Sequence, residues 1–317
     1  MIGPVVDLAW VRAHHEGVVL ADVRHYLDGR SGRDAYRAGH LPGAVFVDVD
    51  HDLAADDRPP AAGRHPLPDP ETFAARMAAA GIGDRDTVIA YDDAGGVMAA
   101  RLVWMLRATG RQAALLDGGI GAYDGDLEIE PPHRVPATFT ARPWPADRLA
   151  SIDDAAAGDS AAARESDAAP GKNGAAGESA AAAKDKPAAD ESDTSPEGAA
   201  AEPTGKPVVL DARPGDRFRG ENETIDPRAG HIPGARSLPC RENLTADGRF
   251  LPVPELRERF AAVGVVPGVP VVSYCGSGVT ACHNLLAMEH AGLGVGRLYP
   301  GSWSEYAHTD RPTASGD

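Results

Sequence analysis

In the stretch PVVSYCGSGVTAC (residues 270–282), an apolar run leads into a cysteine, a glycine-rich loop and the start of a helical pattern. Val271, Val272 and Tyr274 are β-branched or aromatic residues typical of a buried parallel strand. In such strand–loop–helix units, ligands bind beyond the carboxyl end of the strand. Cys275 occupies that place, so the stretch predicts an α/β unit with a thiol at its functional end.

The chain contains this unit twice. TVIAYDDAGG (87–96) matches PVVSYCGSG (270–278). Three further pairs of blocks follow the same order in both halves: VVLADVR (18–24) with VVLDAR (208–213), AGHLPGAVFVD (38–48) with AGHIPGARSLP (229–239), and LLDGGIGAY (115–123) with LYPGSWSEY (298–306). Four matched blocks in one order indicate a duplicated domain.

Each copy has the pattern of alternating strands and helices. Apolar runs predict strands over 18–21, 87–91, 208–210 and 270–274. Residues 69–81 and 253–264 have the pattern of helices with an early proline and a terminal glycine, and further helices are predicted over about 97–109 and 280–291. This rhythm predicts an α/β fold in which each copy has a mostly parallel sheet flanked by helices.

A change of composition separates the copies. Residues 155–205 are almost entirely Ala, Asp, Glu, Lys, Ser, Gly and Pro, without the large apolar side chains that a core needs. The sequence therefore predicts an inactive domain over 1–150, a low-complexity disordered linker over 151–205 and a catalytic domain over 206–317.

The bulk composition excludes several classes of function. The net charge is −16 and the pI is about 5.1, which argues against nucleic acid or an anionic membrane as the main partner. The start of the chain lacks the pattern of a secretory signal, and no apolar run approaches the roughly 20 residues of a membrane helix. Three cysteines do not make a disulfide framework, so we expect a cytoplasmic protein with reduced thiols.

The two loops differ at one decisive position. Backbone N–H groups of a short glycine-rich loop and the positive end of a helix favour the reactive thiolate form of a cysteine. Cys275 has this setting, whereas the first copy has Asp92 at the matching position. We therefore expect Cys275 to be the nucleophile and the first copy to serve as scaffold and as one wall of the cleft. A buried, inert cysteine is the alternative.

The chain resembles the tandem-domain rhodanese family of sulfurtransferases. The resemblance rests on GRDAYRAGHLPGAVFVDVD (32–50), DARPGDRFRGENETIDPRAGHIPGA (211–235), CGSGVTA (275–281) and LYPGSWSEY (298–306). It implies two rhodanese-like domains and a cysteine that holds sulfane sulfur as a persulfide, with no cofactor and no metal. The implied acceptor is cyanide or a thiol, such as thioredoxin or a low-molecular-weight thiol.

The loop residues bear on the sulfur donor. Members that use thiosulfate typically have basic residues at the two positions after the cysteine, whereas this chain has Gly276 and Ser277, which resembles the 3-mercaptopyruvate branch. By this resemblance Arg217 binds the donor's carboxylate or keto oxygen. That branch has a second arginine further along, but no arginine falls at the matching offset here, and Arg228 is a nearby substitute. The remaining predicted substrate-binding residues are Gly276, Gly278, Val279 and Thr280.

A proton relay is the last implication of the resemblance. Ser277 would belong to a Cys–Ser–Asp arrangement whose aspartate comes from the first domain, and Asp34 is the candidate, with His40 as a further possibility. The alternative for Asp34 and His40 is a structural role in the fold. The alternative for Arg217 is an ion pair at the surface or between the domains. Cys240 and Cys282 are expected to be packing residues.

Three competing functions stay open at this point. A phosphatase with a cysteine loop needs an arginine six residues after the cysteine, where this chain has Ala281. A noncatalytic sulfur carrier or interaction module explains the duplication but not the presence of both Cys275 and Arg217. Thiosulfate is the alternative donor.

Overall fold

The first copy forms a five-stranded parallel sheet. The protein was analysed as a computed structural model that describes residues 1–57, 59–158 and 205–317. The order across the first sheet is β1-β5-β4-β2-β3 and every pair is parallel. Its strands are β1 (Val5–Val6), β2 (Val18–Asp22), β3 (Val45–Phe46), β4 (Thr87–Tyr91) and β5 (Ala113–Leu116).

The second copy repeats this sheet with the same register. Its order is β7-β6-β8-β9, again with parallel pairs. Asp211 is paired with Tyr274 just as Asp22 is paired with Tyr91, which confirms the duplication. The strands are β6 (Val208–Asp211), β7 (Arg236–Ser237), β8 (Val271–Tyr274) and β9 (Arg297–Leu298).

Helices connect the strands, as the alternating pattern predicts. All four predicted helices are present, with α3 starting at Pro70 behind Asp69, whose side chain accepts a hydrogen bond from the Thr72 N–H. The helices of the described residues are α1 (Leu8–Ala13), α2 (Gly32–Ala38), α3 (Pro70–Ala79), α4 (Ala100–Ala108), α5 (Ile152–Ala156), α6 (Gly215–Arg219), α7 (Val253–Ala262), α8 (Ala281–His290) and α9 (Ser302–Tyr306).

The start of the predicted linker instead belongs to the second domain. Ala150 N–H donates to Leu298 O at 2.8 Å, and Leu149 pairs with Leu298 in parallel, as β1 pairs with β5 in the first copy. Helix α5 follows, capped by Ser151 and packed through Ile152 against the second sheet. A few apolar residues and a good cap are enough to fold this short helix. Residues 159–204, the rest of the predicted linker, lie outside the described residues.

The two copies share one core. Helices α4 and α8, which follow the two matching loops, pack against each other, and their buried side chains form a single apolar cluster. The carboxyl ends of strands β4 and β8 therefore lie on either side of the interface between the domains. Among the described residues, no helix combines the length and apolar character that a membrane crossing needs.

Candidate active site

Cys275 lies between β8 and α8 and lines a cavity of about 970 Å³ to which both domains contribute. Only 1% of the residue is exposed. Gly276, Val279 and Thr280, three of the predicted substrate-binding residues, line the same cavity. The structure thus brings the loop that the sequence singles out into a pocket between the domains.

A tight turn at α9 fixes the cysteine loop. Ser302 Oγ accepts the Cys275 N–H at 3.1 Å, and Trp303 N–H donates to the Cys275 carbonyl at 3.0 Å. Gly278 N–H points back at the Cys275 sulfur at 3.2 Å. Gly278 has φ +78°, and a Cβ there would lie 2.4 Å from the Pro300 carbonyl oxygen, so a glycine is required.

Two residues of the first domain complete a hydrogen-bond chain beside the thiol. Ser277 Oγ lies 2.8 Å from His65 Nδ1, and His65 Nε2 lies 2.9 Å from Asp50 Oδ1. Because the Asp50 carboxylate accepts the Nε2 proton, Nδ1 is the basic nitrogen and accepts the Ser277 hydroxyl proton. Burial lowers the pKa of His65, against the opposing effect of Asp50, so the ring is held neutral.

The structure does not bring Asp34 or His40 to Ser277. Asp34 lies on α2 with 76% of its side chain exposed, near Arg37. His40 is buried, stacks on the Tyr36 ring and bonds the Tyr36 carbonyl through Nδ1, which is a bracing role in the fold. Neither Asp34 nor His40 lines the cavity. His65 and Asp50 line it instead and occupy the positions that the sequence had assigned to His40 and Asp34.

Arg217 lies in the cavity, held by two carboxylates. Its Nη2 donates to Glu223 Oε1 at 2.8 Å and to Asp226 Oδ2 at 3.1 Å. Burial raises the pKa of Glu223, but its hydrogen bonds from the Asp226 N–H and the Arg217 guanidinium outweigh that effect and lower it. The predicted donor-binding arginine is thus in the pocket and also in an ion pair.

Arg228 serves the fold instead. Its guanidinium donates to the carbonyls of Thr309 and Arg311 near the end of the chain, and its own carbonyl accepts the Trp303 indole N–H at 3.0 Å. Three arginines besides Arg217 line the cavity, Arg64, Arg213 and Arg241, and of these Arg64 belongs to the first domain and pairs with Asp226. Sequence order gave no sign of this pairing across the domains.

A family model described as the rhodanese-like domain matches residues 7–126 and 195–309. The chain belongs to the rhodanese family. The predicted architecture of two rhodanese-like domains is therefore confirmed, and the match falls on both copies of the repeat.

Curated relatives in this family are similar over almost the whole chain. A protein of Pseudomonas aeruginosa named probable 3-mercaptopyruvate sulfurtransferase is 39% identical, with 96% of this chain and 95% of the relative covered. The 3-mercaptopyruvate sulfurtransferase of Escherichia coli is 31% identical, over 97% of this chain and 96% of its own. A Mycobacterium tuberculosis protein named putative thiosulfate sulfurtransferase SseB is 33% identical, over 98% and 95%.

Solved rhodanese-family structures have the same arrangement. The 3-mercaptopyruvate sulfurtransferase of Leishmania major matches with a TM-score of 0.74 and 29% identity, covering 98% of this chain and 75% of that one. SseA of Escherichia coli, described as a 3-mercaptopyruvate sulfotransferase with the rhodanese fold, matches with a TM-score of 0.71 and 28% identity, covering 95% and 99%.

The loop of the first rhodanese-like domain holds a carboxylate where the second holds a thiol. Asp92 is fully buried and accepts backbone hydrogen bonds of 2.7–2.9 Å from Ala94, Gly96, Met98 and Ala99. Burial raises the pKa of Asp92, and the four N–H groups oppose that effect. The backbone N–H groups of this loop therefore converge on one site, and the Asp92 carboxyl group occupies it.

The other two cysteines are buried near Cys275. Burial raises the pKa of Cys240 and that of Cys282 to about 12, so both stay protonated. Cys282 packs in the core, as expected, whereas Cys240 also lines the cavity. No disulfide joins the three cysteines, all of which lie in the described part of the chain.

A buried arginine lies beneath the loop. Arg101 of α4 donates to the Gly278 carbonyl at 2.9 Å and to the His65 carbonyl at 2.9 Å, so one guanidinium ties both halves of the site together. Its charge also acts on the thiols of Cys275 and Cys282. Arg101 was not predicted as a site residue, because it lies in a largely apolar helix.

One group of side chains has donor atoms close enough for a metal ion. Ligand atoms of His25, Asp50 and His65 lie within 4.8 Å of one another. Two of the three already belong to the hydrogen-bond chain of Ser277, and a metal on His65 Nε2 would displace the proton that Asp50 accepts. These residues are the only such group among those that the structure describes.

Proposed function

We propose that the chain is a sulfurtransferase that takes sulfane sulfur from 3-mercaptopyruvate, carries it as a persulfide on Cys275 and passes it to a thiol or to cyanide. The names of the relatives support this activity. One observation carries the choice of donor: the hydrogen-bond chain from Ser277 through His65 to Asp50, next to Cys275.

The two candidate donors differ in what they require of that chain. Sulfur leaves 3-mercaptopyruvate by cleavage of a carbon–sulfur bond, which produces an enolate whose carbon must take up a proton. Sulfur leaves thiosulfate by cleavage of a sulfur–sulfur bond, which produces sulfite, a weak base that needs no proton to depart. A hydroxyl with a neutral imidazole behind it is useful in the first reaction and idle in the second.

The persulfide forms in two steps, after which the nucleophilic acceptor attacks its outer sulfur and releases the Cys275 thiolate. The Cys275 thiolate attacks the donor's thiol sulfur, the sulfur–sulfur bond forms, and the carbon–sulfur electron pair leaves as pyruvate enolate. The proton of the new persulfide then moves through Ser277, with His65 accepting it in transit, to the enolate carbon. Pyruvate and the Cys275 persulfide anion result, and Asp50 stabilises the transient imidazolium.

The loop of the first domain supports the persulfide intermediate. An aspartate carboxyl oxygen and the outer sulfur of a cysteine persulfide are both two bonds beyond Cβ, so Asp92 has the reach of the intermediate. Gly278 N–H matches Gly96 N–H, and the next two donors, Thr280 and Ala281, match Met98 and Ala99 in sequence. Gly278, Thr280 and Ala281 would then hold the outer sulfur.

The donor carboxylate binds at Arg217, whose Nη1 faces the loop beside Gly276. The acceptor is cyanide or a thiol, such as thioredoxin or a low-molecular-weight thiol, and the setting that we propose is the cytoplasm. Neither a cofactor nor a metal takes part in these steps.

Steady-state kinetics with both donors, side by side, test the donor choice. The unaltered protein is expected to have the higher kcat/KM with 3-mercaptopyruvate. Ser277→Ala is expected to lower that value about 100-fold or more, while its thiosulfate activity stays within a few-fold. A preference of the unaltered protein for thiosulfate would overturn the proposal in favour of the alternative donor.

A further inference from the structure

We propose that Arg64, supplied by the first domain, is the second arginine that recognises the donor's carboxylate and so determines donor specificity together with Arg217. This inference rests on the proposed carboxylate-bearing donor. It makes the carboxylate site a composite of both domains, although the nucleophile belongs to one.

The two guanidinium groups converge on the backbone of the cysteine loop. A Cβ built on Gly276 would lie 2.9 Å from Arg64 Nη2 and 3.6 Å from Arg217 Nη1. Gly276 directly follows Cys275, so both nitrogens face the space where the donor's atoms next to the sulfur must lie. Two N–H donors on adjacent guanidinium groups match the two oxygens of one carboxylate.

A single buried carboxylate organises both arginines. Only 1% of the Asp226 side chain is exposed, and it pairs with Arg64 Nη1 and with Arg217 Nη2. Glu223 binds the Nε side of Arg217. Within the described residues, Arg64 Nη2 and Arg217 Nη1 have no hydrogen-bond partner of their own, so the acids hold each arginine and leave its loop-facing nitrogen available.

The backbone of Arg64 is fixed on the second domain. Its N–H donates to Ser304 Oγ at 3.1 Å, and the preceding Gly63 lies so close to the same turn that a Cβ there would be 2.7 Å from the Gly301 carbonyl. Ser304 N–H in turn donates to the Gly276 carbonyl at 2.8 Å. Arg64 and the cysteine loop are thus held by one turn, which reduces the ordering cost of binding.

Carboxylate recognition can be measured without any sulfur donor. Iodoacetate and iodoacetamide both alkylate cysteine, but only iodoacetate carries a carboxylate. The second-order rate constant for alkylation of Cys275 is measured with each reagent, and peptide mass spectrometry confirms that Cys275 is the residue modified. Arg64→Ala is expected to lower the iodoacetate-to-iodoacetamide rate ratio about 10-fold or more and leave the iodoacetamide rate within about twofold. Arg37→Ala, an exposed arginine of the same domain that pairs with Asp34, is the matched control and should leave the ratio unchanged.

A second variant keeps the test decisive if Arg64→Ala folds poorly. Arg64→Lys retains the charge, but one ammonium group cannot serve Asp226 and a ligand in the same geometry, so the ratio should still fall several-fold. An unchanged ratio in folded Arg64→Ala or Arg64→Lys overturns the inference.

The results that would overturn the proposed donor differ from those that would overturn the role of Arg64. If the ratio depends on Arg64 but 3-mercaptopyruvate gives no turnover, the carboxylate site stands and the proposed donor is wrong. If 3-mercaptopyruvate is turned over with the same kcat/KM in Arg64→Ala as in the unaltered protein, the proposed function stands and the role of Arg64 is wrong.

Discussion

His65 Nδ1 lies 2.8 Å from Ser277 Oγ, so a histidine of the first domain hydrogen-bonds the hydroxyl two residues beyond the nucleophile of the second. Arg101 strengthens the same junction, since its guanidinium binds carbonyls of both loops. The domain without a cysteine is therefore part of the active site. This explains why a chain with one nucleophile keeps both copies.

The hydrogen-bond chain can be tested by a double-mutant cycle. We expect His65→Ala and Ser277→Ala each to lower kcat with 3-mercaptopyruvate about 100-fold or more, and the double variant to lose hardly more than either single one, because the two groups act in one relay. His133→Ala, an exposed histidine outside the cavity, is the control. Additive losses in the double variant would show that the two side chains act separately.

The acid limb of the pH profile should lie below pH 6.5. In the proposed relay His65 acts as a neutral base, and burial lowers its pKa from the ordinary value of 6.5, so we expect activity to be retained above that pH and lost as the pH falls through the lowered value. Asp50 raises this pKa, so Asp50→Asn should move the limb of kcat/KM to still lower pH while reducing the maximum. A limb that does not move would assign the titration to another group.

The same lowered pKa values predict loss of stability in acid. Burial lowers the pKa of His65, of His231 and of His283, and that of His283 falls to about 4. At these three residues the unfolded chain therefore binds protons at a higher pH than the native protein does. Their contribution to the free energy of unfolding is fully present above pH 6.5 and is lost as the pH falls through the native values. Thermal unfolding between pH 8 and pH 4 should show that Tm falls as the pH is lowered. The fall in Tm should be smaller in His283→Gln.

Two glycines of the loop form a matched pair with opposite expectations. Gly278→Ala forces a positive φ on alanine and a Cβ against the Pro300 backbone, so it should slow alkylation of Cys275 by iodoacetamide at least about 10-fold and lower the free energy of unfolding by about 1–3 kcal/mol. Gly276→Ala meets only the ends of the Arg64 and Arg217 side chains, so iodoacetamide reactivity and Tm should be nearly unchanged. Equal damage from both changes would contradict the geometry of the loop.

Asp92 should matter for stability and not for chemistry. Asp92→Ala leaves four buried N–H groups without their acceptor, which we expect to cost about 3 kcal/mol or more of the free energy of unfolding. Sulfur transfer by the folded fraction should stay within a few-fold of the unaltered protein. A loss of kcat above 10-fold with an unchanged Tm would give the first loop a chemical role.

The fold could be predicted from the sequence because its signals are local and occur twice. The apolar strands, the helix boundaries and the matched loops lie in short stretches, and the structure confirms them. The boundary between the domains was wrong because Leu149, Ala150 and α5 form a short strand and helix before the change of composition. The segment 159–204 therefore interrupts the second domain in sequence, between α5 and β6.

The residues that the first domain contributes to the candidate site could not be predicted from the sequence. Cys275, Ser277 and Arg217 lie in recognisable stretches, but Asp50 and His65 reach them only because the two domains pack together. A weak signal existed: Asp50 follows β3 by a few residues, at the carboxyl edge of the sheet where functional groups gather. Asp34 was predicted as the aspartate of the relay because of the motif in which it lies, but the structure places it at an exposed position of α2.

We propose that Cys275 takes sulfur from 3-mercaptopyruvate and that pyruvate is released. A single-turnover reaction without acceptor tests it most directly, with pyruvate assayed and the protein analysed by peptide mass spectrometry. We predict one pyruvate and one added sulfur atom per active site, located on Cys275, and neither product in Cys275→Ser. Sulfur on Cys240 or Cys282, or a persulfide that forms from thiosulfate but not from 3-mercaptopyruvate, would contradict the account.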